Sequence, residues 1–424
     1  MSLNVLWLCN VPLPQIAEDL GLQQKHLGGW LEGMANEINK NSELDLTVVF
    51  PVSITEKIIS GSIDGISYFG IPSNPHTYSI LTEANLKTIL STTDPDIVHV
   101  HGTEHSHSLA MINAALTTGH IEKTLVSIQG LVSIYQRHYM GHIPYNECSR
   151  FTLKELIESN SIAQQQKLFA SLGQFEIETL RKAKHIIGRT TWDKACTNQI
   201  NPDAVYHFCN ENLREEFYQH EWRLDNCIRH SIFASQASYP LKGFHLLLEA
   251  FSIVLRDFPD ARLFVTGHDS SNRKSYLRNR LWNYQYPKYL GDLIDKYGLR
   301  DKITYTGLLN ASAMCDRYLQ SHVFVLPSSI ENSPNSLGEA MLLGVPCVAS
   351  YVGGVMDMLE HKSEGLLYQS DAPYMLAHYI CNIFGDDDLS QRIATNARKR
   401  ALVTHNKMEN ASTLLDIYNS VRCI

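Results

Sequence analysis

Short apolar runs, each too brief to make a helix of ordinary length, recur along this chain with longer helical patterns between them, and they come in two series. The first series is Asn4–Cys9, Asp45–Phe50, Ile66–Phe69, Asp96–His101, Leu125–Ile128 and His185–Gly188. The second begins after Trp222 with Cys227–Phe233, Ala261–Thr266, Lys302–Tyr305, His322–Leu326, Val345–Ala349 and Gly365–Tyr368. A near-continuous apolar strand alternating with helices is what a parallel sheet covered on both faces requires. The fold class is therefore α/β, with one parallel sheet following another. At 424 residues the chain also exceeds what one core supports. We place the connection in the later part of Asn201–Trp222, giving an N-terminal domain over 1–222 and a C-terminal one over 223–405. Ligands of open α/β sheets bind beyond the carboxyl ends of the strands, so the loops that follow strands carry the function.

Composition narrows the partners. A formal charge of −8 gives no sequence-independent attraction to nucleic acid, which rests on Lys and Arg neutralising phosphates. The nine cysteines are odd in number, scattered and never spaced C-x-x-C, which reads as reduced core thiols in a cytosolic protein. The apolar start Asn4–Leu13 has no basic residue before it and reads as a first strand, not a leader. No stretch reaches the roughly 20 apolar residues of a membrane span. We expect a cytoplasmic protein whose membrane contact, if any, is peripheral and at the inner face.

The richest segment is the loop Pro327-Ser-Ser-Ile-Glu-Asn-Ser-Pro-Asn-Ser336, which follows a strand and opens a helix stopped by Gly344 and Pro346. A helix start presents unpaired N–H groups and the positive end of a dipole, which suits a diphosphate; Asn335 and Ser336 sit there. Glu331 lies in the loop, where a carboxylate can accept hydrogen bonds from sugar hydroxyls. Glu339 lies one turn into the helix, and Ser336-x-x-Glu339 also spells a capping box, with the glutamate reaching back to the Ser336 N–H.

The run Ser328-Ser-Ile-Glu-Asn-Ser-Pro-Asn-Ser-Leu-Gly-Glu-Ala-Met-Leu-Leu-Gly-Val-Pro-Cys-Val-Ala-Ser350, followed by Gly353-Gly354, resembles the signature of family 4 glycosyltransferases. The resemblance extends through Lys242-Gly-Phe-His-Leu-Leu-Leu-Glu-Ala250, Val265-Thr-Gly267 and Ile303-Thr-Tyr-Thr-Gly307, covering most of 228–405. It is looser over Gly28-Gly29 and Asp96-Ile-Val-His-Val-His101-Gly102. Within the family the chain looks most like the enzymes that build bacterial surface polysaccharides such as capsule and O-antigen. The resemblance implies a GT-B fold, two Rossmann-like domains with parallel sheets facing across a cleft, and a C-terminal helix over 406–424 crossing back to the first domain. It implies retaining, metal-independent transfer of a sugar from a nucleotide-sugar, with a UDP-sugar favoured, to a carbohydrate or lipid-linked saccharide. Glu331 would contact the donor sugar and Lys242 would neutralise the leaving diphosphate. Glu339 would hold the ribose, and Asn335 and Ser336 the distal phosphate. Gly28, Gly29, Gly267 and Leu308 complete the donor set. Apart from the resemblance, Lys242 reads equally as an exposed first-turn lysine, and Gly28-Gly29 as a plain loop.

Two departures stand out. The family's arginine five residues before the lysine is Ala237 here, and no Arg or Lys lies between His230 and Leu241. Where many members have a histidine after the fifth strand, this chain has Gln129, which can hydrogen-bond a sugar but cannot shuttle a proton. The run His99-Val-His-Gly-Thr-Glu-His-Ser-His107 has metal-binding residue types, yet His99 and His101 stand at strand spacing while His105 and His107 enter a helix. We expect no metal and no other cofactor there, and take His101 and Glu104, with Gln129, as sugar or acceptor contacts. The polar stretch Gln136–Pro144 either shapes the acceptor site or is a packed surface loop. The basic helix end Arg181, Lys182 and Lys184 either meets an anionic membrane or is a solvated terminus. Two other functions stay open: a nucleotide-sugar epimerase on the same fold, or a chain that kept the fold and binds nucleotide-sugars without transferring them.

Overall fold

The computed structural model describes residues 2–22, 29–52, 57–158, 160–269 and 284–423. They form two compact units, one of residues 1–134, 170–214 and 405–424, the other of residues 135–169 and 215–404. The first unit holds an eight-stranded sheet in the order β3-β4-β2-β1-β5-β6-β7-β8. Its strands are β1 (Leu3–Leu8), β2 (Leu44–Val52), β3 (Ile59–Ile63), β4 (Ile66–Pro72), β5 (Ile97–His101), β6 (Thr124–Ser127), β7 (His185–Gly188) and β8 (Val205–Phe208). All neighbours run parallel except the edge pair β3–β4. The second unit holds a six-stranded, wholly parallel sheet, β11-β10-β9-β12-β13-β14. Its strands are β9 (Ile228–Ala234), β10 (Arg262–Val265), β11 (Ile303–Tyr305), β12 (Ser321–Leu326), β13 (Cys347–Ser350) and β14 (Leu366–Tyr368).

Every apolar run of the sequence overlaps one of these strands. The two strands that the pattern does not reveal are both at edges. The sequence of β3, Ile-Ser-Gly-Ser-Ile, has a largely exposed interior and pairs with β4 in a hairpin turned by Asp64-Gly65, both residues at positive φ, with Ile59 and Ile63 at its ends packed on the core. In β8, Val205 and Phe208 are exposed, so no buried run marks it. A strand buried on one side of its ladder carries a weaker apolar signal than a central one.

Six helices bear on the two sites at the sheet edges and on the C-terminal packing: α1 (Gly29–Ile38), α2 (Ser106–Thr118), α3 (Ile162–Lys182), α4 (Phe244–Asp257), α5 (Asn335–Leu343) and α6 (Lys407–Arg422). The last of these packs on the first sheet, as the resemblance implied. Ala411, Leu414, Ile417, Tyr418 and Val421 of α6 join the core cluster containing Val5, Trp7 and Leu46. Trp7 Nε1 donates to Tyr418 Oη at 2.8 Å, and Tyr418 Oη lies 2.6 Å from His99 Nδ1. His99 Nε2 in turn lies 2.6 Å from Ser127 Oγ, so both ring nitrogens are held. His99 is thus a structural residue tying α6, β5 and β6 together. Burial pushes its pKa down to about 3.

None of the nine cysteines is joined in a disulfide. Among the described residues no helix is long and apolar enough to cross a membrane. The segment Tyr135–Phe169, which lies between strands of the first sheet in sequence, belongs to the second unit.

Candidate functional site

In the second unit the loops leaving β9 and β12 are stitched together at the carboxyl edge of the sheet. After β9 the chain makes one tight helical turn, Pro240–Lys242, closed by Gly243 at a φ of 65°. A Cβ at Gly243 would stand 1.8 Å from the Pro327 carbonyl oxygen, so only glycine allows this approach. Ser329 N donates to Leu241 O at 2.8 Å across the same seam. Behind the β12 loop, Gly353, at a φ of 51°, lies so close that a Cβ would be 1.9 Å from Glu331 O, and Gly354 N donates to that carbonyl at 3.1 Å.

These contacts bring Lys242 and Glu331 together. Lys242 Nζ donates to Glu331 Oε1 at 2.6 Å, and both side chains are largely buried. Burial alone would lower the ammonium's pKa, but the Glu331 carboxylate and Tyr239 beside it hold it above the usual lysine range. Ser328 Oγ donates to the same Oε1 at 2.7 Å, and Ser350 Oγ anchors the Ser328 carbonyl at 2.5 Å. Both donors grip one oxygen of the carboxylate, which leaves Oε2 for another hydrogen-bond donor. Sequence reasoning missed Ser328; its spacing of three residues before Glu331 in a strand-to-helix loop was the available signal.

Helix α5 begins at Asn335, with Pro334 as the residue before it. The Pro334 carbonyl takes the N–H groups of Leu337 and Gly338 at 3.0 and 3.2 Å, and the amides of Asn335 and Ser336 are the first-turn donors. Ser336 therefore lies inside the helix and cannot be its capping residue, which removes the capping box as an explanation of the buried Glu339. Gly267 and Leu308 come side by side because the ends of β10 and β11 are joined by reciprocal bonds between Gly267 and Gly307, 3.0 and 3.1 Å long. Leu308 is 82% exposed. Gly28 lies outside the described residues, and Gly29 is the first residue of α1.

The carboxyl edge of the first sheet carries a different cluster. Gln129, just past β6, donates from Nε2 to Glu211 Oε1 at 2.9 Å. Glu211 is in turn ion-paired with the buried Arg189, whose Nη2 also donates to the carbonyls of Ile128 (3.1 Å) and Gln129 (3.3 Å). Since an ionised carboxylate only accepts, the Gln129 amide must turn its nitrogen to Glu211 and keep Oε1 for a donor. Arg189 and Glu211 went unnoticed in sequence, although an arginine directly after a buried strand is a visible anomaly. His101 is buried at 6% exposure, its ring 4.5 Å from Trp7 and 3.9 Å from His99. Glu104 accepts from Asn10 Nδ2 and from the Thr103 amide, both at 2.9 Å. His107 Nε2 meets Asn10 Oδ1 at 2.8 Å, and His105 Nε2 lies 3.4 Å from Glu104 Oε1. Among the described residues no group of three His, Cys, Asp or Glu side chains is placed to hold a metal. The basic helix end is tied down locally: Arg181 to Glu178 at 2.8 Å, Lys182 to Asn113 at 2.8 Å and Lys184 to Glu122 at 3.5 Å.

With this geometry in view, the relatives can be placed. Residues 229–400, the stretch that carries Lys242, Glu331 and α5, match the family described as glycosyl transferases group 1. YtcC of Bacillus subtilis (strain 168), which bears a provisional glycosyltransferase name, is 32% identical over 198 residues, 45% of each chain. A D-inositol 3-phosphate glycosyltransferase of Corynebacterium urealyticum is 26% identical over 43% of this chain and 41% of its own. The chain thus matches less than half the length of these relatives. As a fold, the likeness covers nearly everything: sucrose-phosphate synthase of Thermosynechococcus elongatus superposes with a TM-score of 0.71 at 14% identity, covering 99% of both chains. HepE of Anabaena does so with a TM-score of 0.66 at 14% identity, covering 99% of this chain and 100% of its own. The fold is GT-B.

Proposed function

We propose that this protein is a hexosyltransferase that moves a sugar from a nucleotide-sugar to a saccharide acceptor, with retention of configuration and without a metal. The observation that carries the reading is the buried Lys242–Glu331 pair beside the start of α5, within the stretch that matches the family. In this reading Lys242 and the Asn335 and Ser336 amides stabilise the diphosphate as it gains charge, in a site fixed before the reaction. Glu331 offers Oε2 to a sugar hydroxyl, and Glu339 holds the ribose. No side chain need accept the acceptor's proton, because the departing phosphate takes it. That fits Gln129, which binds but does not titrate. A UDP-sugar is the favoured donor: the HepE structures hold UDP, UDP with glucose, and UDP-glucose. The acceptor is a carbohydrate or lipid-linked saccharide, in the manner of family 4 enzymes that build capsule or O-antigen. The work is done in the cytoplasm, with peripheral contact at the inner face of the membrane.

One observation favours a second reading. Position 237 is alanine and Gln236 is exposed, so the β9 loop brings no second cation to Lys242. A chain that binds nucleotide-sugars as a partner protein without transferring them would look like this. A thermal-shift and mass-spectrometric screen against a panel of nucleotide-sugars separates the readings. Transfer predicts that one UDP-sugar raises the melting temperature, by mass action on the folded state, and is consumed with acceptor. Binding without consumption across a broad acceptor panel supports the partner protein. Binding of no nucleotide-sugar overturns both.

A further inference from the structure

The segment Tyr135–Phe169 adds no strand to either sheet, yet it is fastened into the second unit at several points. Gly141, at a φ of 57°, sits where a Cβ would stand 2.3 Å from the Pro240 carbonyl, two residues before Lys242. His245 Nε2, on α4, donates to Gly141 O at 2.6 Å and leaves Nδ1 to accept from Tyr286 Oη at 3.2 Å. Farther along, Glu155 Oε1 takes the Gln285 amide at 2.6 Å, and Glu158 Oε2 takes Tyr284 Oη at 2.5 Å. Between these fastenings the walls stand apart and enclose a cavity of about 460 Å³.

Tyr139, Ile162 and Phe169 of the segment face Tyr239, Tyr284 and Tyr286 across it. The Tyr139 and Phe169 rings are 4.9 Å apart, and those of Tyr139 and Tyr239 are stacked at 6.3 Å. Tyr239 also reaches the Lys242–Glu331 site, its ring 5.9 Å from Lys242 Nζ. No Lys or Arg lines the cavity among the described residues; the nearest ammoniums stand against wall rings, Lys154 Nζ 4.0 Å from Tyr284 and Lys242 Nζ 5.9 Å from Tyr239, and Lys242 is already paired with Glu331. Its one carboxylate, Glu155, already accepts from the amides of Gln285 and Thr152, which leaves little for a cation. Gln165 and Ser238 supply uncharged polar groups at the wall. Aromatic faces with amide and hydroxyl groups but no free charge suit a neutral saccharide, whose C–H faces pack on rings while its hydroxyls hydrogen-bond. The volume falls within the roughly 300–1,000 Å³ of small-ligand sites.

We propose that this aromatic cavity is a binding subsite for a neutral saccharide of the acceptor, held next to Lys242 by Tyr239. The proposal rests on the transferase reading for the word acceptor; the pocket's preference for a neutral sugar does not. The test is an array of neutral and acidic oligosaccharides probed with the full chain, in parallel with calorimetric titration of UDP. Phe169→Ala removes a wall, and Ser238→Trp, at an exposed position, fills the cavity without disturbing the core. We expect the unaltered chain to retain neutral oligosaccharides and both variants to lose at least about tenfold of that retention, as loss of an aromatic contact or access implies, with UDP affinity unchanged. Retention of acidic saccharides alone, of none at all, or retention unaltered in Ser238→Trp overturns the subsite. Failure of the unaltered chain to bind UDP overturns the transferase reading instead, and the array still decides the pocket.

Discussion

Among the described residues each unit has a largely buried ion pair at the carboxyl edge of its sheet, and the two are built to opposite ends. Arg189–Glu211 in the first unit is held from every side: the guanidinium also grips the Ile128 and Gln129 carbonyls, Glu211 also grips Gln129, and His405 Nδ1 bonds the Glu211 carbonyl at 2.8 Å. Lys242–Glu331 in the second unit joins two loops by a single oxygen, with Ser328 as the carboxylate's other anchor. A delocalised fork with several fixed acceptors loses much if disturbed, whereas an ammonium on a flexible stem can exchange one anion for another. The first pair positions Gln129. In the proposed reaction the second hands Lys242 to a diphosphate while Ser328 keeps Glu331 in place.

Exchanging the cations should separate these roles. Lys242→Met is expected to cut sugar transfer by about 100-fold or more, as removal of a preorganised charge does, and to lower the urea midpoint as well, because it strands the buried Glu331 carboxylate with Ser328 as its remaining anchor. Arg189→Met is expected to destabilise by about 3–5 kcal/mol, because it strands Glu211 as a buried charge, and to leave UDP affinity of the folded protein intact. Swapped outcomes would break the comparison. Next in size, Gly353→Ala should destabilise by about 2–4 kcal/mol, since a Cβ would collide with Glu331 O. Gly267→Ala, with nothing within 4 Å of its added carbon, should cost only the about 1–2 kcal/mol of left-handed backbone strain. Denaturant titration of the two alanine variants checks that order. Ser328→Ala removes one hydrogen bond to Glu331 and should lower turnover about tenfold without changing UDP affinity.

Much of this was legible in the chain. The strand series located both sheets, because central parallel strands are apolar on both faces and announce themselves. The Glu331-to-Glu339 spacing with Lys242 singled out two loops of the second unit, and the structure pairs Lys242 with Glu331 there. What stayed hidden depends on partners distant in sequence. Arg189 and Glu211 are ordinary residues until β7 and β8 bring them together, and the ring pairs of Tyr139 with Phe169 and Tyr239 are set by where Tyr135–Phe169 packs. The capping box failed for a local reason: the helix starts one residue before Ser336, at Asn335.

The pH dependence of stability should be shared by the units. Burial holds His405 in the first and His245 in the second down to about 4. Both are neutral when folded and would protonate near 6.5 when unfolded, so the unfolded state takes up more protons between those values. Their contribution to stability is complete above about pH 6.5 and is lost as pH falls towards 4. The melting temperature should therefore be lower at pH 5 than at pH 7.5, and replacement of either histidine by glutamine should flatten that fall; an unchanged slope in both variants would remove these residues as its source.

The central claim is that Lys242 and Glu331 form the nucleotide-sugar site. Calorimetric titration of UDP into the unaltered chain and into Lys242→Met, with folding of both verified by circular dichroism, tests it most directly. Loss of a charge-assisted contact to the diphosphate predicts binding at least about tenfold weaker in the variant. Equal affinity in the two folded proteins would contradict it.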